Sequence, residues 1–405
     1  MRISTKTIYE MGSARISDLQ MAQTRTQQQL STGRRILTPA DDPVASARAL
    51  EVMQSDAMNT QFATNRQSVK SSLSMVEGTL AGVTSLLQDA KTLTINAGNG
   101  ALSASDRTSI ATELRGRFDQ LLGLANTTDG TGNYLFSGYQ TSLQPFVQTS
   151  GGVAYQGDQG QRMLQVDNAR QMALSDTGSS VFESARTGNG TFVTAASAAN
   201  TGSGVVSTGA VSAPLTLPVH DYEVTFAVAA GATTYTVTDK TDPLNPLNAL
   251  PPFAYTSGQA ILFDGLQFDV SGSPANGDKF TVQPSTNQSI FKTLDDLITL
   301  LGMPANNASS SAALTAGLSA ANLGIDKSLD NVLTTRASVG SRLNEIDSLD
   351  SVGDDRGLQY KTTLSALQDL DYTKAISESM QQQTVLEAAQ KTFAQTAGLS
   401  LFKYL

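Results

Sequence analysis

The chain has 405 residues, 40% of them hydrophobic, a formal charge of −9 and a pI near 4.7, which suits two or three domains with buried cores rather than a disordered chain. Its acidity argues against a phosphate-binding surface, so no nucleic-acid partner is expected, and the absence of cysteine removes disulfides and thiolate metal sites. No apolar run is long enough to span a bilayer, and the opening MRISTKTIYEMGS lacks the apolar core of a cleaved leader, so no membrane insertion is expected.

Tyr9, Gly12, Ile16, Leu19, Gln23, Thr26 and Leu30 recur in steps of three and four. This is the heptad seam of a first helix, weakened by its polar members Gln23 and Thr26. The stretch QLSTGRRILTPADDPVASARAL, residues 29 to 50, ends that helix and starts another. Gly33 is the residue type that most readily takes the left-handed conformation past a helix end. Asp42 before Pro43 offers an N-cap side chain and a ring pre-set for the first helical position. Arg34 and Arg35 read as solvated loop charges. The second helix carries Val69, Leu73, Val76, Leu80, Val83, Leu87 and Ala90 in the same alternation. It should extend about 80 Å to Ala97, at about 1.5 Å per residue. A third helix, capped by SASD at Ser103 to Asp106, carries Ile110, Leu114, Leu121 and Leu124 on one face.

From about Gly132 to Pro284 the chain is rich in Gly, Ser and Thr, with alternating runs such as YEVTFAV, TTYTVTD and AILFDGLQFDV that predict antiparallel strands. Pro243, Pro246, Pro251 and Pro252 mark a loop. Helix returns with Ser289 as a cap and Ile290, Leu294, Leu297 and Leu301 on one face, followed by a linker, ANNASSS. Leu318, Ala321, Ile325, Ser328, Val332, Thr335, Val339, Arg342, Ile346 and Leu349 then predict a second long helix, with an interruption expected at SVGDDRG. In the last segment Leu364, Leu367, Leu386, Ala389 and Phe393 share one helical face while Ile376 and Met380 point elsewhere.

The expected fold class is therefore α+β: an elongated rod of long coiled-coil-like helices from both termini, with β-hairpins and an inserted, mainly antiparallel β-domain. Residues 1–40 with 365–405 are expected to form a terminal helical assembly region, disordered in the monomer because its polar seam offers too little apolar surface to offset ordering. Residues 41–186 with 286–364 should form a helical rod domain with β-hairpins, and 187–285 the inserted β-domain.

Catalytic constellations are missing. His220 is the single histidine, and its neighbour Asp221 suggests a dyad, but no G-x-S-x-G nucleophile accompanies it, so it reads as a strand-edge side chain. One histidine cannot build H-E-x-x-H, and no G-x-x-x-x-G-K-[ST] loop exists to cradle phosphates. The pairs Asp41 and Asp42, Asp295 and Asp296, and Asp354 and Asp355 read as groups at helix starts or polar joints, explained by capping and the helix dipole, with calcium as the remaining alternative. No cofactor and no enzymatic activity are expected.

The ends carry a resemblance. RIST, QLSTGRRILTPADDPVASARAL, GNYLFSGYQT, RASVGSRLNEID and DLDYTKAISESMQQQTVLEAAQKTFAQTAGLSLFKYL are similar to the shared terminal regions of the flagellin-like family, the bacterial flagellins and hook–filament junction proteins. GNYLFSGYQT and the ending GLSLFKYL resemble junction proteins more than flagellins, which tend to end in a Gln- and Leu-rich tail. The resemblance implies a structural subunit between hook and filament, exported without a cleaved signal through the flagellar type III apparatus to an extracellular position. It implies four partners: hook-associated protein 1, flagellin, identical copies in a ring, and a cytoplasmic export chaperone at the C-terminal region. The assembly and chaperone interface is expected at Ile16, Leu19, Leu30, Leu386, Ala389 and Phe393. A flagellin filament subunit and an adhesin acting through the β-domain are the alternatives.

Overall fold

The structure is a computed structural model that describes residues 5–212 and 218–399; most of the RIST and GLSLFKYL ends lies outside them. Among the described residues the α-helices are α1 (Thr5–Thr32), α2 (Pro43–Ala97), α3 (Ala104–Ala125), α4 (Gly178–Phe182), α5 (Ile290–Gly302), α6 (Ala308–Gln368) and α7 (Tyr372–Leu399). Two compact units form, one from residues 1–65 with 348–405 and one from 66–347.

Helix boundaries follow local chemistry. Gly33 has φ +68° and closes α1. The Asp42 carboxylate accepts from the Ala45 N–H at 3.0 Å, capping α2 with Pro43 at its first position. Ser103 and Asp106 form a reciprocal capping box on α3, and Ser289 caps α5. Four expectations need correction. Leu364 and Leu367 lie on α6, cut off from Leu386, Ala389 and Phe393 on α7 by the break at Asp369–Asp371, where the Leu370 N–H donates to the Gly33 carbonyl. Helix α6 begins at Ala308, inside the expected linker, because the Asn307 side chain accepts from the Ser310 N–H at 2.8 Å. It also runs unbroken through SVGDDRG: Gly353 and Gly357 are tolerated where the chain lies close to Asn59, whose amide donates to the Gly353 carbonyl at 2.8 Å. Asp354 and Asp355 are therefore mid-helix. Asp295 and Asp296 also lie within a helix, where they meet Arg115 at 3.0 Å and Lys292 at 2.9 Å.

In the unit of residues 66–347, Val69, Leu73, Val76, Leu80, Val83, Leu87 and Ala90 are fully buried on α2, as are Ile325, Val332, Val339 and Ile346 on α6. Lys70 to Asp347 (2.5 Å), Glu77 to Arg336 (2.6 Å) and Lys91 to Asp326 (2.5 Å) form ionic rungs of an antiparallel pair. Such partly exposed pairs set register more than they stabilise. Two hairpins, β1 (Phe146–Thr149) with β2 (Gly152–Tyr155) and β3 (Met163–Asp167) with β4 (Arg170–Ala173), lie before α4. The buried Arg66 donates to the Val166 carbonyl at 3.1 Å, tying the second hairpin to α2.

Phe118, Phe146, Phe182 and Phe291 meet with ring centroids 5.2 to 6.0 Å apart, and Phe136 and Tyr155 join at 5.3 and 5.1 Å. Aromatics are 6% of the chain, yet this cluster gathers α3, α4, α5 and the first hairpin around one point.

The β-rich insertion is entered by β5 (Ala185–Arg186) and left by β15 (Asn287–Gln288), which pair antiparallel, with the Thr187 N–H donating to the Thr286 carbonyl at 2.9 Å. Its ends are thus side by side. Inside it are β6 (Phe192–Ala196), β7 (Val205–Val206), β8 (Ala210–Val211), β9 (Tyr222–Ala229), β10 (Ala232–Asp239), β11 (Phe253–Ala254), β12 (Ala260–Phe263), β13 (Leu266–Ser271) and β14 (Lys279–Pro284). One sheet has the order β11-β10-β9-β14-β6; a second has β12-β13-β7, with β8 also paired to β13. Alternate residues of β9 and β13 are buried, which puts Tyr222, Val224, Phe226, Leu266, Phe268 and Val270 in one core with Phe280 and Val282. Asp264 and Gly265, both at positive φ, make the two-residue turn between β12 and β13.

Two outcomes follow. Phe291→Ala should cost about 3–5 kcal/mol and lower the thermal midpoint of residues 66–347, measured by circular dichroism. Joining Thr187 to Thr286 by a short Gly/Ser linker in place of residues 188–285 should leave a cooperative helical melt, because paired insertion ends disturb the host least.

Candidate assembly interface

In the unit of residues 1–65 with 348–405, α1 and α7 pair antiparallel, and three contacts set their register. Gly12 lies against the Phe393 ring so closely that a β-carbon there would sit 2.7 Å from a ring carbon. Thr26 Oγ1 donates to Gln382 Oε1 at 3.0 Å. Gly33 lies beneath the Tyr372 hydroxyl, where a β-carbon would come within 2.8 Å of its oxygen. Numbers rise on α1 as they fall on α7, which sets Ile16 level with Ala389, Leu19 with Leu386 and Leu30 with Ala375.

The six residues read from the sequence as an interface therefore lie on one seam within the subunit. Leu386 is buried, and Ile16, Leu19, Leu30, Ala389 and Phe393 are half-buried. Phe393 also packs on Tyr9, ring centroids 5.0 Å apart. Of the two polar members on α1, Thr26 is buried and Gln23 half-buried. A paired polar side chain in an apolar seam favours one register over its neighbours.

The joint between α1 and α2 is held by its own side chains and by the C-terminal part of the chain. The Asp41 carboxylate accepts from the Leu37 and Thr38 N–H groups, both at 2.9 Å, and meets Arg25 at 2.8 Å. The Thr38 hydrogen bond, together with those from Leu37 and the Arg25 charge, holds its carboxyl below the usual range despite desolvation. The Arg35 N–H donates to the Gln368 carbonyl at 2.7 Å, the Leu370 N–H donates to the Gly33 carbonyl at 2.9 Å, and Arg35 Nη2 reaches the Leu367 carbonyl at 2.8 Å. The break between α6 and α7 thus sits beside the break between α1 and α2. Arg35 therefore joins this clasp through its side chain as well as its main chain, while Arg34 enters it through a main-chain bridge to Asp369.

Apolar side chains also face outward. Tyr372, Ile376 and Met380 are exposed at every fourth position of α7, and Met11 and Met21 are exposed on α1. Leu50 and Leu358 are exposed on the neighbouring ends of α2 and α6. Among the described residues this unit buries five hydrophobic side chains, Ala45, Ala49, Phe62, Ala375 and Leu386, and none is on α1. More large apolar groups thus face outward than inward, the mark of an interaction surface. The sequence reading separated Ile376 and Met380 from the seam but assigned them no role, and it passed over Tyr372; their four-residue spacing was the available signal. Among the described residues no His, Cys, Asp and Glu side chains gather in a group able to hold a metal ion, and no helix is long and apolar enough to cross a membrane.

Residues 3–141 match the bacterial flagellin N-terminal helical region, and residues 195–284 match the D2-like domain of flagellar hook-associated protein 1. The chain is 33% identical over 405 residues to flagellar hook-associated protein 3 of Salmonella typhimurium, covering all of this chain and 99% of that one. It is 32% identical over 404 residues to the protein of the same name from Escherichia coli, again over 99% of that chain. The crystal structure of the flagellar junction protein FlgL from Legionella pneumophila superposes with a TM-score of 0.72 at 32% identity, covering 80% of this chain and all of that one. With full-length identity of 33% to a curated relative and the fold of a solved one, the chain belongs to the flagellar hook-associated protein 3 family and is a structural subunit of the bacterial flagellum.

Proposed function

We propose that this chain forms the junction between hook and filament as a ring of identical subunits, seated on a layer of hook-associated protein 1 and followed by flagellin. The observation that carries this reading is the terminal helix pair, which leaves Tyr372, Ile376 and Met380 outside while α1 buries no hydrophobic side chain among the described residues. Long helices so sparsely packed are marginal alone. Neighbouring subunits in a ring supply the missing cover, so residues 1–40 and 365–405 gain their order on assembly. The same surface suits a cytoplasmic export chaperone that shields the C-terminal region before the subunit leaves, without a cleaved signal, through the flagellar type III channel. The family assignment supports the axial position, and the alternation of seam and outward stripe on α7 supports contacts on both of its faces.

The reading is tested by expressing the chain in a strain that lacks its own junction protein. Filaments should stay on the hook, and the purified chain should not polymerise into filaments by itself; a secreted, folded chain that leaves all filaments in the medium overturns it. Phe393→Asp should leave the melt of residues 66–347 unchanged and shed filaments into the medium, because a charge replaces the ring between Gly12 and Tyr9. Its full burial in the assembly is worth roughly 1.5–3 kcal/mol. Gly12→Ala should weaken retention by overpacking, at a cost of about 1–3 kcal/mol, and Phe393→Leu in the same chain should recover part of it. Counting attached filaments for the single and double variants distinguishes this packing from a general loss of export.

A further inference from the structure

One buried carboxylate organises an apolar loop of the insertion. Asp239, the last residue of β10, is 2% exposed. Its Oδ1 accepts from the Thr241 and Asp242 N–H groups at 2.8 and 2.9 Å, and its Oδ2 accepts from Asn245 Nδ2 at 2.8 Å and lies 2.7 Å from His220 Nδ1. Asn248 fastens the other side of the loop: its Oδ1 accepts from the Asp239 N–H at 2.7 Å, and its Nδ2 donates to the carbonyls of Asp239, Asp242 and Pro243. The loop so ordered holds Leu244 outward, 90% exposed.

His220 is the only histidine of the chain and stacks on Tyr222 with ring centroids 6.1 Å apart. The charged groups acting on it are acidic: Asp239 at the end of β10, Asp242 in the loop, and Asp264 in the turn between β12 and β13. Asp221 follows it in the chain. Asp264 accepts from the Tyr222 hydroxyl at 2.8 Å, while Lys240 and Lys279 both pair with Glu223, at 3.1 and 3.2 Å.

We propose that His220 is a proton-operated latch on the loop from Asp239 to Leu250: the imidazolium balances the buried carboxylate and keeps the loop tight, and loss of the proton slackens the segment that presents Leu244. Burial alone would raise the Asp239 carboxyl, but hydrogen bonds from Asp242, His220, Asn245 and Thr241 outweigh it and hold the pKa at about 2, so this residue stays anionic across the working range. The hydrogen bond to Asp239 raises the His220 pKa above its ordinary 6.5. A histidine so raised contributes its full stabilisation below the unfolded value, and that contribution is lost as pH rises through the folded value. A neutral ring protonated on Nδ1 keeps the hydrogen bond and gives up the charge, so the loop loosens without unfolding.

A single histidine makes the test direct. In the full-length chain, the His220 ring resonances are followed by NMR from pH 5 to 9, alongside hydrogen-exchange protection factors of the Thr241 and Asp242 amides, corrected for intrinsic rates. The ring should titrate above 6.5, and protection should fall as pH rises from about 6.5 to the ring's own midpoint, by roughly tenfold for each pH unit between them, and level off above it. His220→Gln should show the reduced protection at every pH. A ring that titrates at or below 6.5, wild-type protection that does not change with pH, or a His220→Gln chain with the wild-type profile would each overturn the latch. The wild-type titration decides the matter alone if the variant fails to fold.

Discussion

The terminal helices meet through a narrow seam in which a glycine admits a phenylalanine and a threonine bonds to a glutamine. Gly12 with Phe393 and Thr26 with Gln382 set the register of α1 on α7, but they bury little surface. Much of the rest of the subunit is arranged around that shortage. The joint at Gly33–Asp42 and the break at Asp369–Asp371 are fastened to each other by main-chain hydrogen bonds, so both helices of the pair leave from the same place. The larger core, with its phenylalanine cluster and the α2–α6 seam, lies within residues 66–347.

Periodicity made most of the helical part legible. The seam from Val69 to Ala90 is buried at every expected position, and Ser103, Ser289, Gly33 and Pro43 mark the helix ends they were read to mark. The early start of α6 rests on a local cap, Asn307 with Ser310, whereas the two misplaced breaks depend on partners remote in sequence. SVGDDRG looks like a break because of its two glycines, yet Asn59 lies against it and the helix continues. The break at Asp369–Asp371 has neither Gly nor Pro, and its main-chain partners lie more than 300 residues away, at Gly33 and Arg35.

The candidate interface was legible in part. Spacing alone placed Leu386, Ala389 and Phe393 on one face of α7, but it could not show that this face meets α1 of the same chain and that Tyr372, Ile376 and Met380 form the outer one. His220 shows the same limit in the insertion. Its sequence neighbour Asp221 suggested a pair, whereas the hairpin of β9 and β10 brings Asp239 to the ring from 19 residues away. Side chains that meet across a hairpin or an antiparallel helix pair leave no local signature in either partner.

The paired strands β5 and β15 have a mechanical consequence. Both join the helical body at one end and the insertion at the other, and they are bonded to each other along their length. Drag that pulls the insertion away from the body tensions two covalent backbones in parallel and does not shear the hydrogen bonds between them. Sideways drag instead stretches one strand and compresses the other, and there the ladder, with the Thr187 and Ser285 hydroxyls bonded across it, resists. The insertion is thereby carried on a tether that is strong in extension and stiff in the plane of the ribbon, so a load on it is spread over two backbones before it reaches the helices.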